Sequence, residues 1–297
     1  MRLSHHLKAL GLSAAEAKKA MSTGKVFLDG IPTSDGGREV DEERVELRPN
    51  ARRLVPGRDL VMVHRDKDLV IVWKPAGMLS VAARKEGGHK NVVGLVRKLT
   101  GSGLAVHRLD EPTSGLMMVA QNRNAQDALK AQLEVHSVER RYIAIAAGRP
   151  KRERWTAESH LVRNRGDGRR GSCRGEPPEE ARHAITHLER LALAGPRACL
   201  FAARLETGRT HQVRIHLSEA RHPILGDPLY APAGVTRAAP RLALHAATLG
   251  LEHPRTGVSM CFEAPLADDL EQLRRQLLHN DAEPEQRGKR RRRKKRR

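Results

Sequence analysis

The segment His107–Gly115, HRLDEPTSG, does most to limit how this chain can fold. An apolar run, Gly103–Val106, precedes it and a second, Leu116–Ala120, follows. Each run is strand-like in length, and the residues between them are charged or turn-forming: Asp110, Pro112, Thr113, Ser114 and Gly115. The pattern predicts strand, loop, strand, with Asp110 presented between two buried elements. Taken alone, Asp110 either bonds its own backbone in a turn or offers its carboxylate to a ligand.

The charge balance says what kind of ligand to expect. Lys and Arg number 55 against 35 Asp and Glu, a formal net charge of +20. Ten of the residues from Arg287 to Arg297 are basic, so about half the excess lies in that terminal block. The remaining excess makes the body basic in its own right, which favours a polyanionic partner, nucleic acid before membrane. Aromatic residues make up 2%, too few for a broad base-stacking platform, so each of the two tyrosines carries weight. Cys173, Cys199 and Cys261 lie far apart and form no zinc-type spacing. They fit a reducing compartment. No apolar leader and no membrane-length run is evident, so a cytoplasmic monomer is the expectation.

Along the chain, residues 1–59 read as a small domain. Leu3, Leu7 and Leu10 fall at helical spacing. Ser13 with Glu16 forms a capping-box pattern ahead of a second helix that ends near Gly24. Lys25–Leu28 and Val45–Leu47 read as strands, and Asp29-Gly30 as a tight turn. Two helices followed by a small hairpin, with basic residues on the helices, resembles the ribosomal S-four-type RNA-binding domain. Arg48–Gly57 reads as a basic linker.

A larger domain is expected over 60–280. Leu60–His64 and Leu69–Trp73 read as strands, the second running into Lys74-Pro75-Ala76-Gly77. Asn91–Leu99 and Ala125–Leu133 have helical patterns. Val138–Gly148 contains Tyr142-Ile143-Ala144 after Arg140 and Arg141, where Tyr142 is either a core strand residue or a site residue. Arg163–Glu180, rich in Gly and Arg, reads as a mobile loop whose arginines either meet phosphate or are solvated. Leu205–Leu217 carries TGRTHQVRIH, read as strand, turn, then a helix starting near Thr210. His211 and His216 stand five apart without a Cys or acidic cluster, so no metal is expected. His222–Tyr230 (HPILGDPLY), Leu242–Ala246 and His253–Gly257 complete the set of motifs. Residues 281–297 form no core pattern and read as a disordered basic tail.

HRLD, the Tyr142 strand, TGRTHQVRIH, HPILGDPLY and LHA, in that order, resemble the RluA-type RNA pseudouridine synthases. The resemblance covers about Leu60 to Leu278. It implies an α+β fold, a mixed, mostly antiparallel sheet with flanking helices. It also implies isomerisation of uridine to pseudouridine within RNA, with no cofactor. On the resemblance Asp110 is the catalytic carboxylate, Tyr142 lies against the uracil and Arg209 pairs with Asp110. Arg108 is the candidate to fill the space of the flipped nucleotide. Lys74, His107, Thr113 and Leu244 are placed among the substrate-contacting residues. Family members often carry His-Pro after the Lys-Pro-x-Gly turn, whereas this chain has Ser80-Val81-Ala82. Large-subunit ribosomal RNA is the first expectation for substrate and transfer RNA the second. A noncatalytic RNA-binding or assembly factor on the same fold is the rival.

Overall fold

The computed structural model describes residues 1–51, 53–82 and 90–279. The expectations for 281–297 fall outside them. The chain opens with α1 (Leu3–Ala9) and α2 (Ala14–Ser22), then β1 (Val26–Leu28), β2 (Ile31–Pro32) and β3 (Val45–Leu47). The capping box is present: Ser13 Oγ accepts from the Glu16 amide and the Glu16 carboxylate accepts from the Ser13 amide. Asp29 and Gly30 both take positive φ, which turns β1 into β2 with the twist a hairpin needs. β3 pairs with the other edge of β1. Leu3, Leu7, Ala17, Met21, Val26, Leu28 and Val40 form the core of this segment. Leu10 does not join them. It caps α1 and is 52% exposed, because the helix has already ended at Ala9.

Next come β4 (Val61–Arg65), β5 (Leu69–Lys74), α3 (Val92–Thr100), β6 (Leu104–Ala105), β7 (Ser114–Ala120), α4 (Arg123–Glu134) and β8 (Glu139–Ala147). Asn91 and Asn122 cap α3 and α4 by accepting from the Gly94 and Ala125 amides. Then follow β9 (Arg154–Val162), β10 (Gly171–Ser172), β11 (Arg182–Leu193), β12 (Ala198–Leu205), α5 (Gln212–Glu219), α6 (Ala233–Thr236), β13 (Leu244–Glu252) and β14 (Ser259–Glu263).

These elements divide into two compact units. One unit holds Met1–Tyr142, Arg204–Thr210 and Leu244–Asp268. The other holds Ile143–Ala203, His211–Ala243 and the chain from Asp269. Residues 1–59 thus belong to the same unit as the strands that carry the HRLD loop. Ile31 joins the main core, and Thr33 Oγ1 and the Ser34 amide both donate to Asp268, at 2.7 Å each.

In the first unit the order is β13-β7-β5-β4, with β14 on β13 and β6 on β7. β7 pairs antiparallel with β5 and β6 but parallel with β13, so the sheet is mixed. β5 and β7 are buried along their whole length. Leu69, Ile71 and Trp73 pack with Leu116, Met118, Ala120 and with Ala125 and Leu129 of α4. β6 and β7 pair Leu104 with Ala120 and Ala105 with Val119, so HRLDEPT is the connection between two adjacent strands. In the second unit the order is β10-β9-β11-β12-β8. β10 lies inside the segment read as a plain loop, pairing Gly171 with Val162. α5 begins at Gln212, later than expected, because His211 takes a left-handed conformation (φ 62°).

Candidate active site

The HRLD loop is held from below by the segment that follows β5. Ser80, 3% exposed, accepts from the Leu109 amide at 2.9 Å and donates to the Leu109 carbonyl at 2.7 Å. Both polar groups of the residue before Asp110 are thus fixed by one hydroxyl. The Gly77 amide donates to the Glu111 carbonyl at 2.8 Å. Lys74 Nζ donates to the carbonyls of Pro75, Met78 and Glu111. The Thr113 amide closes the turn onto the Asp110 carbonyl at 3.0 Å. Asp110 is bracketed on both sides by backbone that cannot easily move, and its side chain is half-buried.

Sequence reading missed Ser80, whose hydroxyl braces the loop from the very place where this chain departs from the family's His-Pro. Ser80→Ala leaves the Leu109 amide and carbonyl buried and unpaired. The expected cost is about 1–3 kcal/mol of stability. Turnover should fall about 10- to 100-fold as the carboxylate loses its fixed position. Chemical denaturation and single-turnover rates measure the two. Parent-like values for both would remove Ser80 from this role.

His107 opens the loop. Its Nε2 accepts from the Met118 amide at 3.1 Å, which fixes a neutral ring with the proton on Nδ1. Burial, and then the neighbouring Arg140 cation, push its pKa down to about 3. The unfolded chain takes up this proton near pH 6.5 and the folded one only near 3, so His107 favours folding fully above about 6.5. That contribution is lost as pH falls from 6.5 toward 3, at no more than about 1.4 kcal/mol per pH unit. In His107→Gln the stability-versus-pH curve should be flatter between pH 6.5 and 4. Identical slopes in parent and variant would show that the ring titrates normally.

The opposite wall comes from β8. Alternation along the strand places Arg140 and Tyr142 on one face, and both are buried, at 8% and 9% exposure. The turn after β12 adds Gly208 and Arg209. Val106, His107, Arg108, Lys130, Leu133, Glu134, His136, Arg140, Tyr142, Leu205, Gly208 and Arg209 enclose a cavity of about 530 Å³. Cations outnumber the single acidic lining residue, Glu134. Arg108 and Arg209 are exposed at this cavity. Burial, then the negative charge of Asp110, raise the Tyr142 phenol to about 12 against the opposing pull of Arg140. Asp110 and Tyr142 therefore sense one another's charge, and the phenol keeps its proton at neutral pH.

Three residues expected to contact substrate are placed differently. Lys74 is completely buried, because its ammonium is drawn inward by the carbonyls of the Lys-Pro-x-Gly turn and of Glu111. It joins two segments rather than facing RNA phosphate. Thr113 is 1% exposed beneath the loop. Leu244 is 4% exposed at the start of β13, where it packs inward, outside the cavity lining. His211 and His216 lie in the second unit, His211 Nδ1 2.8 Å from the Tyr230 hydroxyl and His216 Nδ1 2.8 Å from Thr186 Oγ1.

Among the described residues, Asp66, Asp68 and His253 bring ligand-type atoms together. Each has hydrogen-bond or ion-pair partners of its own. His253 Nδ1 accepts from the Arg255 and Thr256 amides, so Nε2 bears the proton and donates to Asp66. Asp68 pairs with Arg255 at 2.7 Å.

A carboxylate braced on an inter-strand loop, its charge reaching a buried phenol that lines a basic cavity, on a mixed α+β sheet, defines an enzyme of the pseudouridine synthase class. The chain belongs to the RNA pseudouridylate synthase family, whose sequence model matches residues 68–219, from the start of β5 to the end of α5. Among its relatives is ribosomal large subunit pseudouridine synthase D of Zymomonas mobilis, 36% identical over 235 residues, covering 74% of this chain and 73% of that one. The dual-specificity RNA pseudouridine synthase RluA of Escherichia coli is 34% identical over 209 residues, covering 69% of this chain and 93% of that one. A solved structure, human RNA Pseudouridylate Synthase Domain Containing 1, superposes with a TM-score of 0.61 at 25% identity, covering 74% of this chain and 90% of that one. Among the described residues no helix is long and apolar enough to cross a membrane.

Proposed function

We propose that this enzyme isomerises specific uridines of large-subunit ribosomal RNA, with Asp110 as its catalytic carboxylate. The observation that carries the reading is the bracing of the Asp110 loop by Ser80 and Gly77 at a cavity where its charge reaches Tyr142. The name of the Zymomonas relative supports the choice of RNA, and the dual-specificity name of the E. coli relative keeps transfer RNA in the test.

The target nucleotide leaves its stack at a cost of a few kcal/mol and enters the cavity. Arg108, exposed on the loop, fills the vacated place. Asp110 either attacks the sugar carbon or removes its 2′ proton, and in both cases must be ionised. Arg209, exposed at the cavity, favours that state and fixes its orientation. Tyr142, protonated at neutral pH, packs against the uracil and hydrogen-bonds rather than acting as a base. Residues 1–59 form an S-four-type RNA-gripping module, a reading supported by exposed Lys8, Lys18 and Lys19 on its helices.

The test is incubation of the purified chain with unmodified ribosomal and transfer RNA pools, followed by pseudouridine mapping at single-nucleotide resolution. A new site in large-subunit RNA is the expected result. A new site in transfer RNA alone overturns the choice of RNA, and binding with no product in either pool favours the noncatalytic rival.

A further inference from the structure

Arg140 stands out once the charges of the cavity are traced. Its guanidinium is 8% exposed, lies on the same strand face as Tyr142 and lines the cavity. One nitrogen, NH2, donates to the Glu206 carbonyl at 2.7 Å. Nε is buried without a hydrogen-bond partner, and among the described residues no carboxylate pairs with this side chain. Gly208 makes room for it, since a Cβ at 208 would stand 2.5 Å from Arg140 NH1. Besides Tyr142, the charge that acts on it is another cation, Arg209. A buried cation lacking an anion is costly, with an effective desolvation penalty of several kcal/mol. A group kept at such cost inside a cavity is best explained by an anion that arrives later.

The chemistry supplies one. We propose that Arg140 is a catalytic residue whose guanidinium hydrogen-bonds the carbonyl edge of the flipped uracil and balances the negative charge the ring acquires. This rests on the pseudouridine synthase reading above. When the C1′–N1 bond breaks, its electron pair stays with the ring, and charge spreads over N1 and the two carbonyl oxygens. The ring turns, C5 bonds to C1′ with electrons of the ring, C5 gives up its proton and N1 takes one up. No atom is gained or lost. The exposed Arg108 and Arg209 serve the vacated stack and Asp110, whereas the group able to reach a nearly buried guanidinium inside the cavity is the base. With NH2 held by the Glu206 carbonyl, the NH1 group beside Gly208 is the donor left to meet a carbonyl oxygen of the base.

Arg140 shares a strand face with Tyr142, so period-two alternation is the sequence signal that points to it. Sequence reading had treated Arg140 and Arg141 alike as basic flanks.

The experiment compares Arg140→Gln and Arg140→Lys with the parent chain on the RNA site found by mapping. One substrate carries uridine there and the other 5-fluorouridine, whose ring bears negative charge more readily. The readouts are RNA affinity, the single-turnover rate of consumption of the N1-linked nucleoside, and Tm. Arg140→Gln should slow the uridine reaction about 100-fold, the usual loss for one donor aimed at developing charge. Its RNA affinity should stay close to the parent's, and the defect should shrink severalfold on 5-fluorouridine. Arg140→Lys should fall between. The Tm of Arg140→Gln should hold or rise, because an unpaired buried charge is gone. Equal defects on the two bases, a loss confined to affinity, or a parent-like rate overturns the proposal. If Arg140→Gln does not fold, the same comparison of Arg140→Lys with the parent decides. A parent chain inert on every RNA overturns the pseudouridine synthase reading, and this proposal with it.

Discussion

Asp110→Asn should reduce turnover by at least about 10⁴-fold, the scale seen when an essential group is replaced by its neutral isostere, while RNA affinity stays near that of the parent. The amide keeps the shape of the carboxylate, and the backbone bonds from Ser80, Gly77 and Thr113 do not depend on the side chain. The loop should therefore keep its conformation and lose only its reacting group. A second observable belongs to the same variant. Burial is the larger reason that the Tyr142 phenol sits at about 12, and the Asp110 charge adds to it. Removing that charge should move the phenol titration downward, measurable by ultraviolet absorbance with the other tyrosine, Tyr230, replaced by Phe. Near-parent turnover would mean that another group does the chemistry. An unmoved titration would mean that the two side chains are further apart than the structure places them.

Gly115→Ala should be among the most damaging single changes in the chain, costing about 3 kcal/mol or more. Gly115 adopts φ 118°, a conformation L-residues avoid. An added Cβ would lie 2.2 Å from the Ala246 carbonyl oxygen, 2.6 Å from its amide nitrogen and 2.7 Å from its carbonyl carbon. All three are backbone atoms of β13, so no rotamer change relieves the contact. This is also where β7 and β13 pair in parallel, His245 beside Ser114, with Ser114 Oγ 2.9 Å from His245 Nδ1. The strands approach so closely there that the last letter of HRLDEPTSG has to be glycine. Denaturant unfolding measures the loss. A variant with parent stability would show that the parallel pair is looser than described.

Much of this was legible in the chain. Apolar runs bounded by turn residues are local signals, and they located β5, β7, α3, α4 and the loop between β6 and β7. The Ser13–Glu16 box and the Asp29-Gly30 turn are likewise written in a few neighbouring residues. Less legible were roles fixed by residues distant in sequence. Lys74 reads as a substrate-contacting lysine at a strand end, because nothing local reveals that the Glu111 carbonyl, 37 positions on, draws its ammonium inside. Ser80 carries no periodic or motif signal, and its partner Leu109 lies 29 positions away. The start of α5 was placed too early because composition does not show that His211 turns left-handed before the helix begins. A division of the chain into two compact units, at Tyr142 and again near Ala203 and Thr210, leaves no trace in composition at all.

The inward lysine gives the enzyme a built-in chemical footprint. Amine-acylating reagents need a solvent-exposed amine with a free lone pair, and Lys74 is out of their reach while its carbonyl cradle is closed. Exposed lysines such as Lys8, Lys18 and Lys19 should acylate readily. Labelling of Lys74 would then report only the molecules in which the catalytic loop has parted from the turn beneath it. Its slow rate, set against the fast surface sites, would time the opening of that loop without a spectroscopic probe.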